Sequence, residues 1–199
     1  LFATADRCDL REELSHLIQQ EAIGIAARWT GGLSDLRLSV NLGAEELNEG
    51  YSARLLGLLA DAGFPPDRLT LELTEEGLVR DISQAAAQLE LLRAQRISIA
   101  LDDFGTGYSS LSYLKRLPLD QIKIDQGFVR DALVDPNDAA IARSIIALAN
   151  SLGLDVIAEG VETEEHHHFL LQHGCRAFQG YFFGRPVPHA DFERAVLSR

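Results

Sequence analysis

The sequence predicts an α/β protein built around a parallel β-sheet that closes as a barrel. Two observations support this class. Short apolar segments with strand character alternate with longer segments of helical periodicity along the whole chain. Six of the short segments also end on polar residues of the types that bind metal ions or transfer protons. An open parallel sheet binds ligands at one switch point, whereas a barrel gathers all its strand ends around one mouth, so six such ends favour a barrel.

The predicted strands are short, and their last residues are chemically alike. The strands span residues 36–41, 69–75, 97–103, 121–125, 154–162 and 176–181. Their polar ends comprise Asn41, Glu72, Glu75, Asp102, Asp103, Lys123, Asp125, Glu159, Glu162 and Gln179. In a parallel α/β fold these ends lie on one face. An eight-stranded barrel needs two more strands, and we expect them to precede Leu1. Residues 1–199 are accordingly predicted to be one domain that is truncated at its N-terminus.

The segments between the strands have the spacing of amphipathic helices. Between Asp9 and Trp29, an apolar stripe is expected to face the core. It consists of Leu10, Leu14, Leu17 and Ile18, continued by Ala22 and Ile25. Further helices are predicted at residues 45–62, from 81 onward, and at 109–116, 137–152, 163–173 and 190–197. Glycine or proline follows several of them, as is usual at helix ends.

Composition and charge limit the function classes. The 199 residues suffice for one domain with a large core, and 46% of them are hydrophobic, which is ordinary for a globular protein. The net charge of −12, from 18 basic and 30 acidic residues, argues against binding of a nucleic-acid polymer, because such binding requires a basic face. It permits a small phosphate ligand, since bound metal ions neutralise an acidic site locally.

The compartment follows from what the sequence lacks. No apolar segment approaches the ~20 residues that span a bilayer, and the start shows no signal-peptide pattern. We therefore expect no direct membrane insertion of this segment and a cytoplasmic location, with any tether to the inner membrane supplied by other domains. Cys8 and Cys175 are predicted to be reduced thiols there, and a disulfide between them is the alternative.

The segment Ile97–Ser110, ISIALDDFGTGYSS, is the most informative in the chain. A buried strand is predicted to end in two adjacent carboxylates, Asp102 and Asp103, before a turn that contains Gly105 and Gly107. Two acids at the end of a buried strand destabilise the fold unless a cation offsets their charge. A solvated strand end with a tight turn is the alternative, and the acidic ends of the neighbouring strands argue against it.

The oxygen-bearing side chains at the strand ends predict a site for hard divalent cations. Carboxylates and an amide suit Mg²⁺ or Mn²⁺ rather than zinc or copper. The candidate ligands are Asn41, Glu72, Asp102, Asp103 and Glu159. Lys123 is predicted to orient or deprotonate a water molecule, or to pair with a phosphate oxygen, and the alternative is a charge partner for Asp125 or Asp103. Two cations about 4 Å apart with a bridging carboxylate are an arrangement that hydrolyses phosphodiesters.

Five sequence motifs resemble those of one family. LTLELTE, ALDDFGTGYSSLSYL, QIKID, IAEGVET and FQGYFF occur in the order and at the spacing of the EAL domains, which hydrolyse the bacterial second messenger cyclic di-GMP (c-di-GMP) to linear pGpG. The resemblance covers essentially the whole chain. It implies a modified (β/α)8, TIM-like barrel with one antiparallel strand, and hydrolysis assisted by Mg²⁺ or Mn²⁺, with two ions in each site. It leaves open a homodimer and a fusion to GGDEF or sensory domains.

The resemblance also implies a role for each matching residue. Asn41, Glu72, Asp102 and Glu159 match metal ligands, and Asp102 matches the one that bridges two ions. Asp103 matches a ligand of the second ion.

The remaining matches surround these ligands. Lys123 matches the lysine that holds the attacking water. Glu75 matches the glutamate that anchors the loop after the paired aspartates. Glu162 and Gln179 match positions that support the site, and the segment 182–188 resembles one that lines a guanine pocket.

The chain departs from the family pattern in two places. The Glu-Ala-Leu motif and an arginine that contacts phosphate would precede Leu1, and Gly43 stands where the family usually has serine. The alternative function is therefore a catalytically silent c-di-GMP receptor that signals to a partner, although the intact motifs favour the enzyme. The residues alone also allow a Mg²⁺-dependent barrel enzyme of enolase type, in which the DDFGTG loop has no role.

Three consecutive histidines, 166–168, resemble a metal cluster. Neighbouring residues on a helix point about 100° apart, so these side chains are poorly placed to bind one ion. A solvated helix face is predicted instead.

Overall fold

Six parallel strands form one sheet in the computed structural model, which describes residues 10–43, 46–74, 82–106 and 114–197. The strands follow one another across the sheet in chain order. They are β1 (Leu38–Asn41), β2 (Leu69–Thr74), β3 (Ser98–Phe104), β4 (Gln121–Ile124), β5 (Asp155–Ala158) and β6 (Ala177–Phe178). All six predicted strands are confirmed, although most are shorter than expected. β5, for example, ends before the left-handed turn at Gly160, whose φ is 66°.

Seven α-helices precede, separate and follow the strands in the described part of the chain. They are α1 (Arg11–Ala26), α2 (Tyr51–Ala62), α3 (Ile82–Arg93), α4 (Gln126–Asp131), α5 (Pro136–Leu152), α6 (Glu164–Gln172) and α7 (His189–Leu197). The start of α5 is capped by Asp135, whose carboxylate accepts a hydrogen bond from the Asn137 N–H at 2.8 Å. Glycines in the left-handed conformation, Gly63 and Gly153, end α2 and α5. The helix predicted at 109–116 lies mostly outside the described residues, and α4 was not predicted.

The sheet curls into half of a barrel. The last helix, α7, packs against the turn Gly31–Leu33 that precedes the first strand, and the ring centroids of Trp29 and Phe192 lie 6.2 Å apart. In a flat sheet of six strands, the first strand and the last strand would be separated by about 24 Å. The predicted α/β barrel class is thus confirmed to the extent of a curled parallel half-barrel. The two further strands and the antiparallel strand stay predictions, because every strand pairing among the described residues is parallel.

Residues of the strands alternate between the helix-covered face and the interior of the half-barrel. On β2, the leucines at positions 69, 71 and 73 are fully buried, and they belong to one hydrophobic core with residues of the helices. The helical contributions include Leu55, Leu59, Leu89, Leu92 and Ile146. Because side chains alternate with a period of two, Thr70 and Glu72 lie on the opposite, interior face.

Helix α1 differs from its predicted orientation. It buries Ser15, Gln19, Ile23 and Ala26. Leu17, by contrast, is 60% exposed, and Leu10 and Ile18 are also exposed. The prediction that these leucine and isoleucine side chains face the core is wrong, because the polar side of the first turns faces a buried carboxylate. The hydroxyl of Ser15 donates to Glu46 Oε1 at 2.8 Å.

Candidate functional site

The acidic strand ends meet at the mouth of the half-barrel, where the carboxyl ends of the parallel strands lie. Asn41 is opposite Glu72 in the pairing of β1 with β2, and Thr74 is opposite Asp102 in the pairing of β2 with β3. Lys123, on the next strand along, points to the same interior face. The period of two along each strand therefore brings side chains from separate parts of the sequence to one side of the sheet.

Lys123 lies at the centre of this site. Its side chain is 3% exposed, and its Nζ lies 2.7 Å from Glu159 Oε1, 2.8 Å from Glu72 Oε2 and 3.0 Å from Asp102 Oδ1. These carboxylates come from β2, β3 and the residue that follows β5. One ammonium group thus connects the ends of four consecutive strands.

The centre has an excess of negative charge, because three carboxylates share one ammonium. Burial lowers the pKa of Lys123, but hydrogen bonds to Glu159, Glu72 and Asp102 outweigh it, so that the pKa is raised above its ordinary value. Burial raises the pKa of Glu159, and the charges of Asp102 and Glu72 add to this rise against the opposing effect of Lys123. The lysine therefore stays protonated, while burial and the neighbouring carboxylates disfavour the charged form of Glu159. Such a centre attracts a further cation.

A bulge at the end of β3 brings a fourth carboxylate to the centre. The register of β3 with β4 shifts between Leu101 and Phe104, and Asp103 has a φ of 51°, in the left-handed region. One ligand oxygen from each of Asp102, Asp103 and Glu159 lies within 4.8 Å of the other two. This cluster of hard oxygen donors fits a divalent cation of the Mg²⁺ or Mn²⁺ type.

The turn after the paired aspartates is held by glycine and by a hydroxyl group. Gly105 has a φ of 103°, and a Cβ atom there would lie 2.9 Å from the ring of Phe128. The hydroxyl of Thr106 donates to the Asp103 carbonyl at 2.9 Å. Glu75, the predicted anchor of this loop, and residues 107–109 lie outside the described residues.

The other predicted site residues lie on the rim of the mouth. Asn41, Glu162 and Gln179 all have exposed side chains. The Gln179 N–H donates to the Ala158 carbonyl at 2.8 Å, and its own carbonyl accepts from the Val161 N–H at 3.0 Å, so the chain after β6 is fixed to the chain after β5. These three residues lie around the centre rather than among the groups that bind Lys123.

Asp125, one alternative partner for Lys123, has a different contact. Its Oδ1 accepts from the Gly127 N–H at 2.8 Å and caps α4. The sequence predicted the three carboxylates that pair with Lys123 as residues of the same site, but not as its ion-pair partners. The signal was present, because residues 72, 102 and 123 all fall on the non-apolar face of strands with a period of two.

An aromatic cluster on the rim is a further feature that sequence reasoning missed. The ring of His167 on α6 meets Phe178 edge-on, with centroids 4.5 Å apart, and lies 6.0 Å from Phe182 and 5.8 Å from Phe183. Phe182 and Phe183 are exposed, and the Phe182 N–H donates to the carbonyl of Val161, two residues after Glu159, at 3.0 Å. Arg185 stacks over the ring of Tyr181, with 4.2 Å between the guanidinium carbon and the ring centroid.

The three consecutive histidines have three different environments. His166 is buried, His167 belongs to the aromatic cluster, and His168 is exposed and hydrogen-bonded to Gln172 at 2.8 Å. The predicted solvated face is therefore wrong for the first two histidines, because their neighbours on the adjoining elements cover them. Their side chains do point in different directions, as the helical geometry requires.

Two expectations drawn from composition concern thiols and membranes. Cys175 is a buried free thiol whose Sγ donates to the Ala177 carbonyl at 3.2 Å. Its predicted alternative partner, Cys8, lies outside the described residues. Among the residues that the structure describes, no helix combines the length and the apolar character needed to cross a membrane.

The fold and the site together define a class of protein: a curled parallel sheet with hard oxygen donors and a lysine at its mouth. The family model of the EAL domain matches residues 1–186. The chain belongs to the EAL domain family, as its motifs predicted.

Relatives of known sequence agree with this assignment. The chain is 40% identical over 186 residues to the bifunctional diguanylate cyclase/cyclic di-GMP phosphodiesterase MucR of Pseudomonas aeruginosa. It is 44% identical over 168 residues to the cyclic di-GMP phosphodiesterase NbdA of the same organism. The alignments cover 92% and 84% of this chain but only 27% and 22% of those proteins. The chain therefore spans about a quarter of the length of these relatives.

Solved structures share the fold. The c-di-GMP complex of the PaMucR phosphodiesterase matches with a TM-score of 0.89 and 39% identity, over 96% of this chain and 78% of that chain. The manganese and c-di-GMP complex of Klebsiella pneumoniae BlrP1 at pH 6 matches with a TM-score of 0.83 and 35% identity, over 93% of this chain and 47% of that chain.

Proposed function

We propose that this chain is the catalytic domain of a metal-dependent phosphodiesterase that hydrolyses c-di-GMP to linear pGpG. The observation that supports this most directly is the centre at the mouth, where Lys123 binds the carboxylates of Glu72, Asp102 and Glu159. The named activities of MucR and NbdA, and the c-di-GMP in the PaMucR and BlrP1 structures, support the choice of substrate.

The excess negative charge of the centre supports a requirement for divalent cations. We assign as ligands of Mg²⁺ or Mn²⁺, two ions in all, the residues Asn41, Glu72, Asp102, Asp103 and Glu159. Cations bound there polarise a phosphoryl oxygen and lower the pKa of a bound water. The manganese in one BlrP1 structure and the calcium in another agree with such a site in the family.

Lys123 is assigned as a hydrogen-bond donor. Its raised pKa keeps the side chain protonated, so it is suited to orient the attacking water or a phosphate oxygen and unsuited to remove a proton. Its position within 3.0 Å of three carboxylates fixes the direction of the ammonium. Preorganisation of this kind is a large part of how enzymes stabilise developing charge.

The rim of the mouth is assigned to substrate binding. Exposed aromatic side chains bind nucleobases by stacking, and Phe182 and Phe183 present such rings beside the acidic centre. We assign the segment 182–188 to contact with guanine, and Glu162 and Gln179 to support of the site. Glu75 is assigned as the anchor of the loop after the paired aspartates.

The test uses the complete protein with its upstream and downstream segments. It is incubated with c-di-GMP in Mg²⁺, in Mn²⁺ and in EDTA, and the products are separated by chromatography while binding is measured in parallel. We expect pGpG to form only with a divalent cation. Glu159→Gln should retain ligand binding but lower turnover by several powers of ten, as expected for loss of a cation ligand. Tight binding without hydrolysis in either cation would establish the silent receptor instead.

A further inference from the structure

Glu46 is a buried carboxylate that lies beside the end of β1 and outside the acidic centre. Its side chain is 3% exposed. Around it lie three other buried polar side chains: Ser15, Gln19 and Tyr51. A buried carboxylate destabilises a fold unless it accepts hydrogen bonds. The groups that donate to Glu46 are therefore held in place by it.

Glu46 joins the loop after β1 to helix α1. Its Oε1 accepts a hydrogen bond from the Gly43 N–H at 3.0 Å and one from the Ser15 hydroxyl at 2.8 Å. The backbone closes the same turn in the other direction, because the Glu46 N–H donates to the Gly43 carbonyl at 3.0 Å. Gln19 supports the hydroxyl in turn, with 3.4 Å between Gln19 Nε2 and Ser15 Oγ.

The backbone fixed in this way is the one that follows Asn41. Asn41 is the last residue of β1 and lies opposite Glu72. The next residue, Leu42, donates its N–H to the Glu72 carbonyl at 2.8 Å. The one after it, Gly43, donates to the Glu46 carboxylate. The chain directly after Asn41 is therefore fixed from the sheet on one side and from Glu46 on the other.

We propose that Glu46 is a positioning residue for the cation site, and that it acts by fixing the β1 loop so that the amide oxygen of Asn41 faces the carboxylates of the centre. The inference rests on the proposed function, because it takes Asn41 to be a cation ligand. Groups that orient a ligand in this way affect metal affinity although they do not touch the ion.

The role requires a hydrogen-bond acceptor at position 46 rather than a charge. An amide at this position keeps an oxygen that can accept from Gly43 and Ser15, whereas alanine leaves the buried Ser15 hydroxyl and the partly buried Gly43 N–H without that acceptor. Helix α1 supplies one of these donors, because it buries Ser15 next to Glu46. The conservative substitution and the truncation consequently have different expected effects.

The test measures Mn²⁺ binding to the complete protein by electron paramagnetic resonance of the free ion, without substrate. For Glu46→Ala we expect the Kd to rise about 10-fold or more, and for Glu46→Gln to stay close to that of the wild type. Ser15→Ala removes one of the two donors and should raise the Kd less than Glu46→Ala. If Glu46 acts through Asn41, the double variant Asn41→Ala/Glu46→Ala should bind Mn²⁺ no more weakly than Asn41→Ala alone.

Asp120→Ala is the matched control. Asp120 also holds backbone through a carboxylate, since its Oδ2 accepts from the Ile99 N–H at 3.0 Å, but it lies just before β4, at the opposite end of the sheet from the mouth. Its loss should lower the melting temperature and leave the Kd for Mn²⁺ unchanged. If Glu46→Ala does not fold, Ser15→Ala takes its place in the test. An unchanged Kd for Mn²⁺ in Ser15→Ala would then overturn the positioning role of Glu46.

The outcomes separate this inference from the proposed function. An unchanged Kd in folded Glu46→Ala, or additive effects in the double variant, would overturn the positioning role alone. A wild-type protein that binds Mn²⁺ with the expected order of variants but does not hydrolyse c-di-GMP would overturn the enzyme and leave the positioning role intact. A wild-type protein that binds no Mn²⁺ would overturn both.

Discussion

Replacing Lys123 with methionine tests the charge balance of the mouth, because methionine keeps much of the apolar part of the side chain and removes the ammonium. The remaining carboxylates then repel one another without compensation. The ligand oxygens of Asp102 and Glu159 lie within 4.8 Å, and unit charges at that distance repel by about 3.5 kcal/mol at an effective dielectric constant of about 20. Removal of one partner from a buried ion pair typically costs about 3–5 kcal/mol.

We therefore expect Lys123→Met to lower the free energy of unfolding in EDTA by about 3 kcal/mol, at the lower end because the carboxylates are partly exposed. Urea denaturation followed by circular dichroism measures this loss. Mn²⁺ should restore part of it, since a bound cation replaces the missing charge and stabilises the folded state by mass action. The second variant, Lys123→Met/Glu159→Gln, should be more stable in EDTA than the single variant, because one repelling charge is gone.

Lys115→Met provides the control. Lys115 is an exposed lysine, so its substitution changes the net charge equally without touching the centre. It should change stability by less than about 0.5 kcal/mol and show no dependence on Mn²⁺. Lys123 does not balance the charge of the mouth if Lys123→Met loses no more stability than Lys115→Met, or if the Glu159→Gln substitution in its background lowers stability further.

Three further predictions concern single features of the fold. Because the pKa of Glu159 is raised in the folded state, ionisation of this group opposes folding. In EDTA, its contribution to the free energy of unfolding should decrease as pH rises from the ordinary glutamate pKa through the raised value. Urea titrations across that range should show this decrease for the wild type but not for Glu159→Gln. Gly180→Ala should weaken c-di-GMP binding in calorimetry, because a Cβ there would overlap the backbone of Val161. The control, Gly57→Ala, lies at an exposed helical site with open space and should instead stabilise the protein by about 0.5–1 kcal/mol. Equal ligand binding by the two variants would contradict the steric argument. Burial raises the pKa of the Cys175 thiol, so in a Cys8→Ser background Ellman's reagent should react only after urea unfolds the protein, and a rapid native reaction would show that the site is open.

The strands were predictable because their signal is local. Apolar residues alternate over 69–73 and 97–101 because they pack on the helix-covered face, and the acids next to the ends of these patterns, Glu72 and Asp102, face the mouth. The parallel order followed from helices between consecutive strands. These two local features sufficed for the class of fold and for the choice of Glu72, Asp102 and Lys123 as residues of one site.

What the sequence did not reveal depends on contacts between distant residues. Nothing local in β3 indicates that Asp103 adopts a left-handed conformation, because the bulge arises from the pairing of β3 with β4. The orientation of α1 was missed for a similar reason. Its polar residues face inward to meet Glu46, which is 31 residues from Ser15 in the sequence. A stripe of leucines alone could not predict that partner.

The charge arrangement explains why a lysine suits the centre better than an arginine would. A compact ammonium with three donors can satisfy one oxygen from each of Glu72, Asp102 and Glu159 at 2.7–3.0 Å, and the four-methylene stem reaches them from a buried position on β4. A planar guanidinium has its donors in a fixed fork that pairs best with two oxygens of one carboxylate, so it is less well matched to one oxygen from each of three strands. The same three carboxylates are the proposed cation ligands. A carboxylate that held a cation would be a weaker acceptor for the ammonium, and Lys123 could then donate to water or phosphate, so its role in the fold and its proposed role in hydrolysis would follow from one set of contacts.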